Sequence, residues 1–312
     1  MGGSGGGGFF YERSKSPEEI AKKIRTEEEA SQSVAFDGEV LNIIRNALAD
    51  VNNRDVETIQ QHLTIIEKAI HSEIEGSIDL RYGGSVSKHT YVDGLSDIDS
   101  LAILNNSELA NARPEKVKQY FYDSLQKRLP NTVIEMGKLA VTVKFSDGTE
   151  IQILPALKTP SGIKIASSRR DDAWSNVIHA ENFAKVLRFT NTKMSGKLVP
   201  VIKLAKSIIS SFAENRRVAG YHTECLAIEV FSEYSGEKTP KAMLKHFFNE
   251  GAKSVLSPIR DRTGQSIHVD DYLGSANSLN RKMVSDSMST IARKMQNADG
   301  SREIRIWQQF LK

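Results

Sequence analysis

Two short stretches of this 312-residue chain carry side chains that could do chemistry together: Gly83-Gly84-Ser85, and shortly after it Ser96-Asp97-Ile98-Asp99. Residues two apart on an extended strand point to the same face, so Asp97 and Asp99 project as a pair. Two carboxylates that close repel each other unless a cation lies between them. Hard oxygen donors on a short strand suit Mg²⁺, which commonly keeps substrate phosphates among its remaining ligands. The glycine pair lets the backbone approach a ligand closely. The Ser85 hydroxyl, with any N–H groups presented by the following turn, can then hold phosphate oxygens. Each half alone is commonplace, since Gly-Gly-Ser is an ordinary turn and Asp-x-Asp is more often a solvated strand edge. The informative feature is the succession of strand, Gly-Gly-Ser, loop and an Asp-x-Asp that opens an apolar strand. That order points to metal-assisted phosphate chemistry.

Other candidates are weaker. Lys203 and Lys206 lie three apart on an expected helix and so share a face. His222 and Cys225 are one helical turn apart, but two ligands do not make a zinc site. His89 and His179 read as polar loop or surface residues, Trp174 and Trp307 as packing anchors, and residues 169–172 as a solvated connector.

The elements that must position these residues change character along the chain. The first eight residues, MGGSGGGG, cannot hold a fixed conformation alone, and residues 1–16 are expected to be a flexible segment. Ser16-Pro17-Glu18-Glu19 reads as a helix start, giving a helix from Pro17 to about Ser31. A second is expected from Gly38 to Val51 and a third from Val56 to Ile74, each with an apolar stripe at helical spacing. Strand alternation then takes over in 77–82 and 97–104, followed by a helix over 114–129. Strands are expected at 133–136, 140–145 and 150–154, the last two joined by an Asp147-Gly148 hairpin. Residues 77–155 therefore form a small mixed sheet with flanking helices. The polar stretch 160–172 reads as a crossing to a second lobe, with helices over 180–191, 197–212, 221–234, 240–255 and 276–297. The division expected is a catalytic core over 17–165 and a helical lobe over 166–312.

Composition narrows the class. Hydrophobic residues at 39% and charged residues at 26% are ordinary for a globular protein. No apolar run approaches the roughly 20 residues that span a bilayer, so no membrane partner is expected. The N-terminus is glycine-rich rather than apolar, so no secretory signal is expected and the cytoplasm is the simplest location. With one cysteine, Cys225, an intrachain disulfide framework is excluded. A net charge of +3 gives no reason to expect a dedicated nucleic-acid-binding protein.

The strand, Gly-Ser turn and paired-acid strand resemble the DNA polymerase β-like nucleotidyltransferase superfamily. A closer resemblance is to the bacterial CD-NTases, the cyclic-oligonucleotide synthases of anti-phage (CBASS) systems and relatives of cyclic GMP-AMP synthase and oligoadenylate synthase. It rests on Gly84-Ser85 with Lys88-His89-Thr90, on 94–99, on 142–145 and 151–156, and on 198–206, 220–222 and 271–277. The fold this implies is α+β: a polymerase β-like nucleotidyltransferase core, a C-terminal helical lobe and a site in the cleft between them.

The activity implied is the joining of NTPs, ATP foremost, into a cyclic di- or trinucleotide. A ribose hydroxyl attacks an α-phosphate and pyrophosphate leaves, assisted by two Mg²⁺ ions, with Mn²⁺ as a substitute. By the resemblance, Asp97 and Asp99 ligate the metals, Gly84 and Ser85 hold the triphosphate, Lys206 (with Lys203 as a weaker candidate) contacts it, and Tyr221 stacks on a base. Regulatory proteins of the same defence system are partners of some relatives. One departure stands out. The family's third acid falls at Gln152, which offers a carbonyl oxygen but no charge. Glu150, two residues earlier and facing the same side, is the candidate for the missing carboxylate. The alternative is a structural Glu150, with Gln152 as a neutral ligand or as part of an inactivated site. Linear nucleotidyl transfer (RNA tailing or an NMP-transferring toxin) and a catalytically silent nucleotide-binding module are the competing functions.

Overall fold

The computed structural model describes residues 17–53, 55–71, 77–82, 85, 88–90, 92, 98–105, 108–167, 173–263 and 266–311. Gly83, Gly84, Asp97 and residues 169–172 lie outside the described residues. The strand-forming segments are β1 (Ser77–Tyr82), β2 (Ile98–Asn105), β3 (Val133–Met136), β4 (Val141–Lys144), β5 (Glu150–Thr159) and β6 (Gly162–Ile165). They make one six-stranded sheet in the order β1-β2-β5-β4-β3, with β6 also paired to β5. The β2–β5 pairing is parallel and every other pairing is antiparallel.

Strand β5 is longer than its sequence suggests. Pro155 reads as a stop because it cannot donate to a ladder, yet the strand continues to Thr159. On one edge, β4 pairs with residues 150–153 and β6 with residues 156–159, so Pro155 falls in the gap between them. The start of the expected polar crossing is therefore strand β6, which turns back on β5.

Side-chain alternation sorts the sheet into two faces. Ile151 and Ile153 of β5 and Val141 and Val143 of β4 are fully buried. They pack against α2 (Val56–His71) and α3 (Pro114–Arg128) through Ile66, Ile70, Phe121 and Leu125. Glu150 and Gln152 alternate onto the opposite face. There, Ile103, Ala156, Ile165 and Ile178 form a separate small apolar cluster.

The remaining helices build a second core. They are α1 (Pro17–Asp50), α4 (Ala180–Lys193), α5 (Leu198–Ser210), α6 (Gly220–Phe231), α7 (Pro240–Ser254), α8 (Leu279–Ser301) and α9 (Ile304–Phe310). The two helices expected at 17–31 and 38–51 are one helix of 34 residues. No proline interrupts 18–50, and the space beside Gly38 is open, so nothing there breaks the backbone ladder. The loss of apolar pattern before Val34 marks a solvent-exposed half rather than a break. Phe36, Val40, Ile44 and Ala47 of α1 bury among the later helices, although α1 precedes the sheet in the chain.

Helix α8 starts later than expected, at Leu279, because Gly274 takes a positive φ of 85° and Ser278 caps the helix by accepting from the Arg281 N–H. Helix α9 escaped the sequence reading because it is a single short amphipathic stretch. Its Trp307 is fully buried, while Trp174 is half-buried and donates to the Ala112 carbonyl at 3.0 Å. No described helix is long and apolar enough to cross a membrane.

Candidate active site

The parallel pairing of β2 with β5 brings Asp99 directly beside Gln152, and β4 adds Thr142 on the other side of Gln152. Cross-strand partners project to the same face, so Asp99 and Gln152 present oxygen donors side by side, away from the face that α2 and α3 cover. Glu150 shares that face but sits opposite Lys144. Lys144 Nζ lies 3.7 Å from the Glu150 carboxylate and 2.9 Å from that of Glu135. The Glu135 hydrogen bond, opposed by slight burial and reinforced by the charges of Glu135 and Glu150, holds the Lys144 ammonium above its usual range. Glu150 is thus engaged with the β3–β4 side of the sheet. Gln152, not Glu150, is the register partner of Asp99.

The second part of the site lies where the sheet meets the helical body. The Thr90 N–H donates to the Ser85 carbonyl at 3.0 Å and closes the turn that follows the glycine pair. The Thr90 hydroxyl donates to Glu224 Oε1 of α6 at 2.5 Å. Lys206 of α5 donates to the same oxygen at 2.7 Å and to the Thr90 carbonyl at 3.0 Å. Lys88 Nζ donates to the other oxygen, Glu224 Oε2.

Lys206 and Glu224 are both buried. Burial pulls the Lys206 pKa down while Glu224 and Asp99 push it up and Lys88 opposes them, leaving it below the usual lysine value. Burial alone would raise Glu224, but the Lys88 and Lys206 charges override it and hold the carboxyl below its usual range. Gly220, at the start of α6, packs against Lys206: a Cβ there would make ordinary contact, 3.5 Å from Lys206 Cε and 3.6 Å from Nζ.

Of the other expected site residues, Tyr221 stays beside Lys88 and Lys203 does not join the cluster. Lys203 leaves the shared helix face and donates to Asn52 Oδ1, just beyond α1. Half burial, with the neighbouring Lys206 charge, lowers its pKa. The Tyr221 hydroxyl donates to Asp261 Oδ1 at 2.8 Å, and its ring packs edge-on to Phe183 at 5.0 Å. Lys88 Nζ sits 5.0 Å from the Phe183 centroid and 5.1 Å from that of Tyr221, a cation–π geometry. Burial raises the Tyr221 phenol.

Burial also depresses His222 to about 4. Its Nδ1 pairs with the Tyr272 hydroxyl at 2.9 Å, and its Nε2 lies 3.7 Å from Asp270 Oδ2. Cys225 is buried and pushed up to about 12 by that burial. His89 is exposed, with a positive φ of 59°, and His179 Nδ1 pairs with the Ser161 carbonyl at 3.0 Å. No group of three or more His, Cys, Asp or Glu placed for a metal occurs among the described residues.

Sequence reasoning missed Glu224 altogether. A signal was available: a lone carboxylate in Thr223-Glu224-Cys225-Leu226-Ala227-Ile228 stands in an apolar helical run and must find cationic partners if it is buried.

No protein-family model matches this chain, and no curated protein does. Solved structures do match it. CdnC of Escherichia coli MS115-1, solved with ATP, superposes with a TM-score of 0.66 at 16% identity, over 88% of this chain and 95% of that one. The CD-NTase CdnG of Bradyrhizobium diazoefficiens, in complex with GTP, gives 0.62 at 14% identity, over 82% and 91%. The CdnE cyclic dinucleotide synthase of Elizabethkingia meningoseptica, with GTP and Apcpp, gives 0.57 at 16%, over 74% and 89%. The fold is that of the CD-NTases. The expected α+β arrangement of a small mixed sheet with flanking helices beside a helical body is the one observed. At such identities the CD-NTase likeness is one of backbone, and the chemistry of the site rests on the side chains described above.

Proposed function

We propose that this protein is a CD-NTase: a nucleotidyltransferase that joins nucleoside triphosphates, ATP foremost, into a cyclic di- or trinucleotide signal in anti-phage (CBASS) defence. One observation carries the reading. Asp99 and Gln152 stand in register on the sheet face that α2 and α3 leave uncovered.

The donors on that face are oxygens, a set that fits a hard divalent cation. Asp99 and Gln152, with Asp97 two residues before Asp99, would hold two Mg²⁺, or Mn²⁺ in their place. Such ions would supply charge neutralisation at the α-phosphate and a more acidic attacking hydroxyl. The protein's own part is binding and orientation. Ser85, with the Gly84 backbone, takes the triphosphate. Lys88 and Lys206 share one carboxylate, which leaves one formal positive charge at the seam to meet an anionic tail. Tyr221 supports the base.

Incubation with labelled NTPs and Mg²⁺, phosphatase treatment and mass spectrometry of the product test the reading. A phosphatase-resistant product is the expected result, and a phosphatase-sensitive oligomer would replace cyclisation with linear transfer.

A second reading has its own observation. The register partner of Asp99 is a neutral amide, and Glu150 is turned to Lys144. Tight ATP binding with no turnover in the same experiment would identify a silent nucleotide-binding module.

A further inference from the structure

We propose that Glu224 is a positioning residue: it docks the Ser85–Thr90 turn onto α6 and sets Lys88 and Lys206 beside it. The activity part of this proposal rests on the nucleotide reading above, but the docking part does not.

Glu224 is 1% exposed and lies on a helix whose neighbours Cys225, Leu226, Ala227 and Ile228 are all core. A carboxylate in such a place is costly unless both oxygens are paired. Here both are, and the partners come from separate parts of the chain. The Thr90 hydroxyl and Lys206 Nζ share Oε1, and Lys88 Nζ takes Oε2.

Stability alone does not explain this arrangement, because well-packed apolar residues of similar volume commonly stabilise as well as a buried ion cluster. The ionic arrangement adds direction. Lys206 Nζ donates to the Thr90 carbonyl while the Thr90 N–H donates to the Ser85 carbonyl. The backbone of Ser85 is therefore tied to Glu224 through an unbroken run of hydrogen bonds. The same carboxylate holds the Lys88 ammonium over the Phe183 and Tyr221 rings. One buried acid thus sets the turn and two ammonium groups, one of them the Lys88 cation beside the tyrosine ring.

Charge and geometry make opposite forecasts for Glu224→Gln. If Glu224 only offsets positive charge, its loss leaves the seam more cationic and ATP binds more tightly. If it positions the turn, ATP binds more weakly despite the added charge. The experiment uses the full chain, with ATP affinity measured by calorimetry with Mg²⁺ and amide hydrogen exchange followed through the turn and α6.

Glu224→Gln is expected to weaken ATP at least tenfold. It should speed exchange at the Thr90 amide at least tenfold, with the sheet strands unchanged. Thr90→Val, which keeps every charge and should survive if Glu224→Gln does not fold, is expected to speed the same exchange and weaken ATP several-fold. Thr90→Ser, which retains the hydroxyl, should recover most of what Thr90→Val loses. Unchanged exchange at Thr90 in both Glu224→Gln and Thr90→Val overturns the proposal, as does ATP bound more tightly by Glu224→Gln. If the parent protein binds no ATP at all, the nucleotide reading fails, and the exchange measurement alone still decides whether Glu224 docks the turn.

Discussion

The choice between Gln152 and Glu150 as the neighbour of the proposed metal ligands Asp97 and Asp99 can be settled by substitution, and the structure sets the size of each effect. Glu150 meets Lys144 at 3.7 Å with 46% of its side chain exposed, and Lys144 has a closer partner in Glu135 at 2.9 Å. Exposed pairs of this kind contribute about 0–1 kcal/mol, so Glu150→Ala should change stability by less than about 1 kcal/mol and turnover by less than about threefold. Gln152 stands beside Asp99 in register. Removing a group that orients or completes a metal's surroundings commonly costs about 10–100-fold, about 1.4–2.8 kcal/mol at 1.36 kcal/mol per decade. Gln152→Ala should lose that much, and chiefly at limiting Mg²⁺.

Gln152→Asp makes the sharper test. It adds a second carboxylate roughly 5 Å away across the strands. The repulsion is at most about 3 kcal/mol at an effective dielectric of about 20, and the nearby Lys206 reduces it. The variant should therefore unfold more easily in EDTA than the parent, recover with Mg²⁺, and reach half-maximal rate at lower Mg²⁺. Initial rates of pyrophosphate release across a Mg²⁺ titration, with thermal unfolding in parallel, read both effects. Where turnover is too slow, Mg²⁺-dependent ATP affinity replaces the rate. The reasoning fails if Glu150→Ala costs as much as Gln152→Ala, or if Gln152→Asp leaves the Mg²⁺ dependence unmoved.

Three further outcomes are expected. Lys206→Met removes an ammonium that makes charge-assisted bonds at the seam, and should weaken ATP by about 10–100-fold, corresponding to about 1.5–3 kcal/mol; calorimetry showing less than a threefold change would remove Lys206 from the triphosphate site. Arg281 is fully buried and donates to Asp270 Oδ2 at 2.7 Å and to the carbonyls of Val255, Ser257 and Gly274. Arg281→Met leaves Asp270 buried without its partner and should cost about 3–5 kcal/mol in urea unfolding, a loss under about 1 kcal/mol being the contrary result. Asp147, bonded by His62 at 2.7 Å and by the Thr149 N–H at 2.9 Å, is held down to about 2, with the His62 hydrogen bond the largest cause. A depressed carboxyl stabilises above its unfolded value of 3.8 and loses that contribution as pH falls toward 2. Because the group is partly exposed, Asp147→Asn should cost only about 1 kcal/mol near pH 6, and urea titrations at pH 4, 3 and 2 should show the difference shrinking toward zero.

Much of the sheet was legible because its strands alternate on one covered face: Val141, Val143, Ile151 and Ile153 bury where period two places them. The register that pairs Asp99 with Gln152 was not, since nothing local to either strand encodes which residues lie abreast. Pro155 misled for a definite reason. A proline stops a ladder only where a neighbour needs its N–H, and the switch from β4 to β6 on that edge is invisible from β5 alone. Helix α1 misled in the opposite way. Its first half lacks an apolar stripe because it stays largely exposed and is met there through polar bonds from Arg302, and charged residues carry a helix onward where no breaker intervenes. Among the candidate site residues, Ser85 and Lys206 were named from type and resemblance. The partners that fix Lys206 could not be, because Thr90 and Glu224 meet it only after the chain has folded. Lys203 shares helix phase with Lys206, yet its ammonium bonds Asn52 rather than Glu224.

The seam is where this fold can combine two demands that conflict within one element. Oxygen donors for a cation must be fixed to within a fraction of an ångström, which β2 and β5 achieve by burying Ile151 and Ile153 beneath the face that carries Asp99 and Gln152. Cationic groups for a triphosphate must sit close to those donors without collapsing onto them, so they are better carried on a different support. Helix α5 provides it, with Val201, Ile202, Leu204 and Ala205 buried in a separate core. Two cores leave the distance between donors and cations to be set by whatever joins them. Among the described residues, the Glu224 cluster joins Lys88 and Thr90 to helices α5 and α6. A carboxylate suits this position better than an apolar contact, because hydrogen bonds fix separation and direction whereas apolar contact fixes only proximity. Lys206 is held in that way by Glu224 and the Thr90 carbonyl.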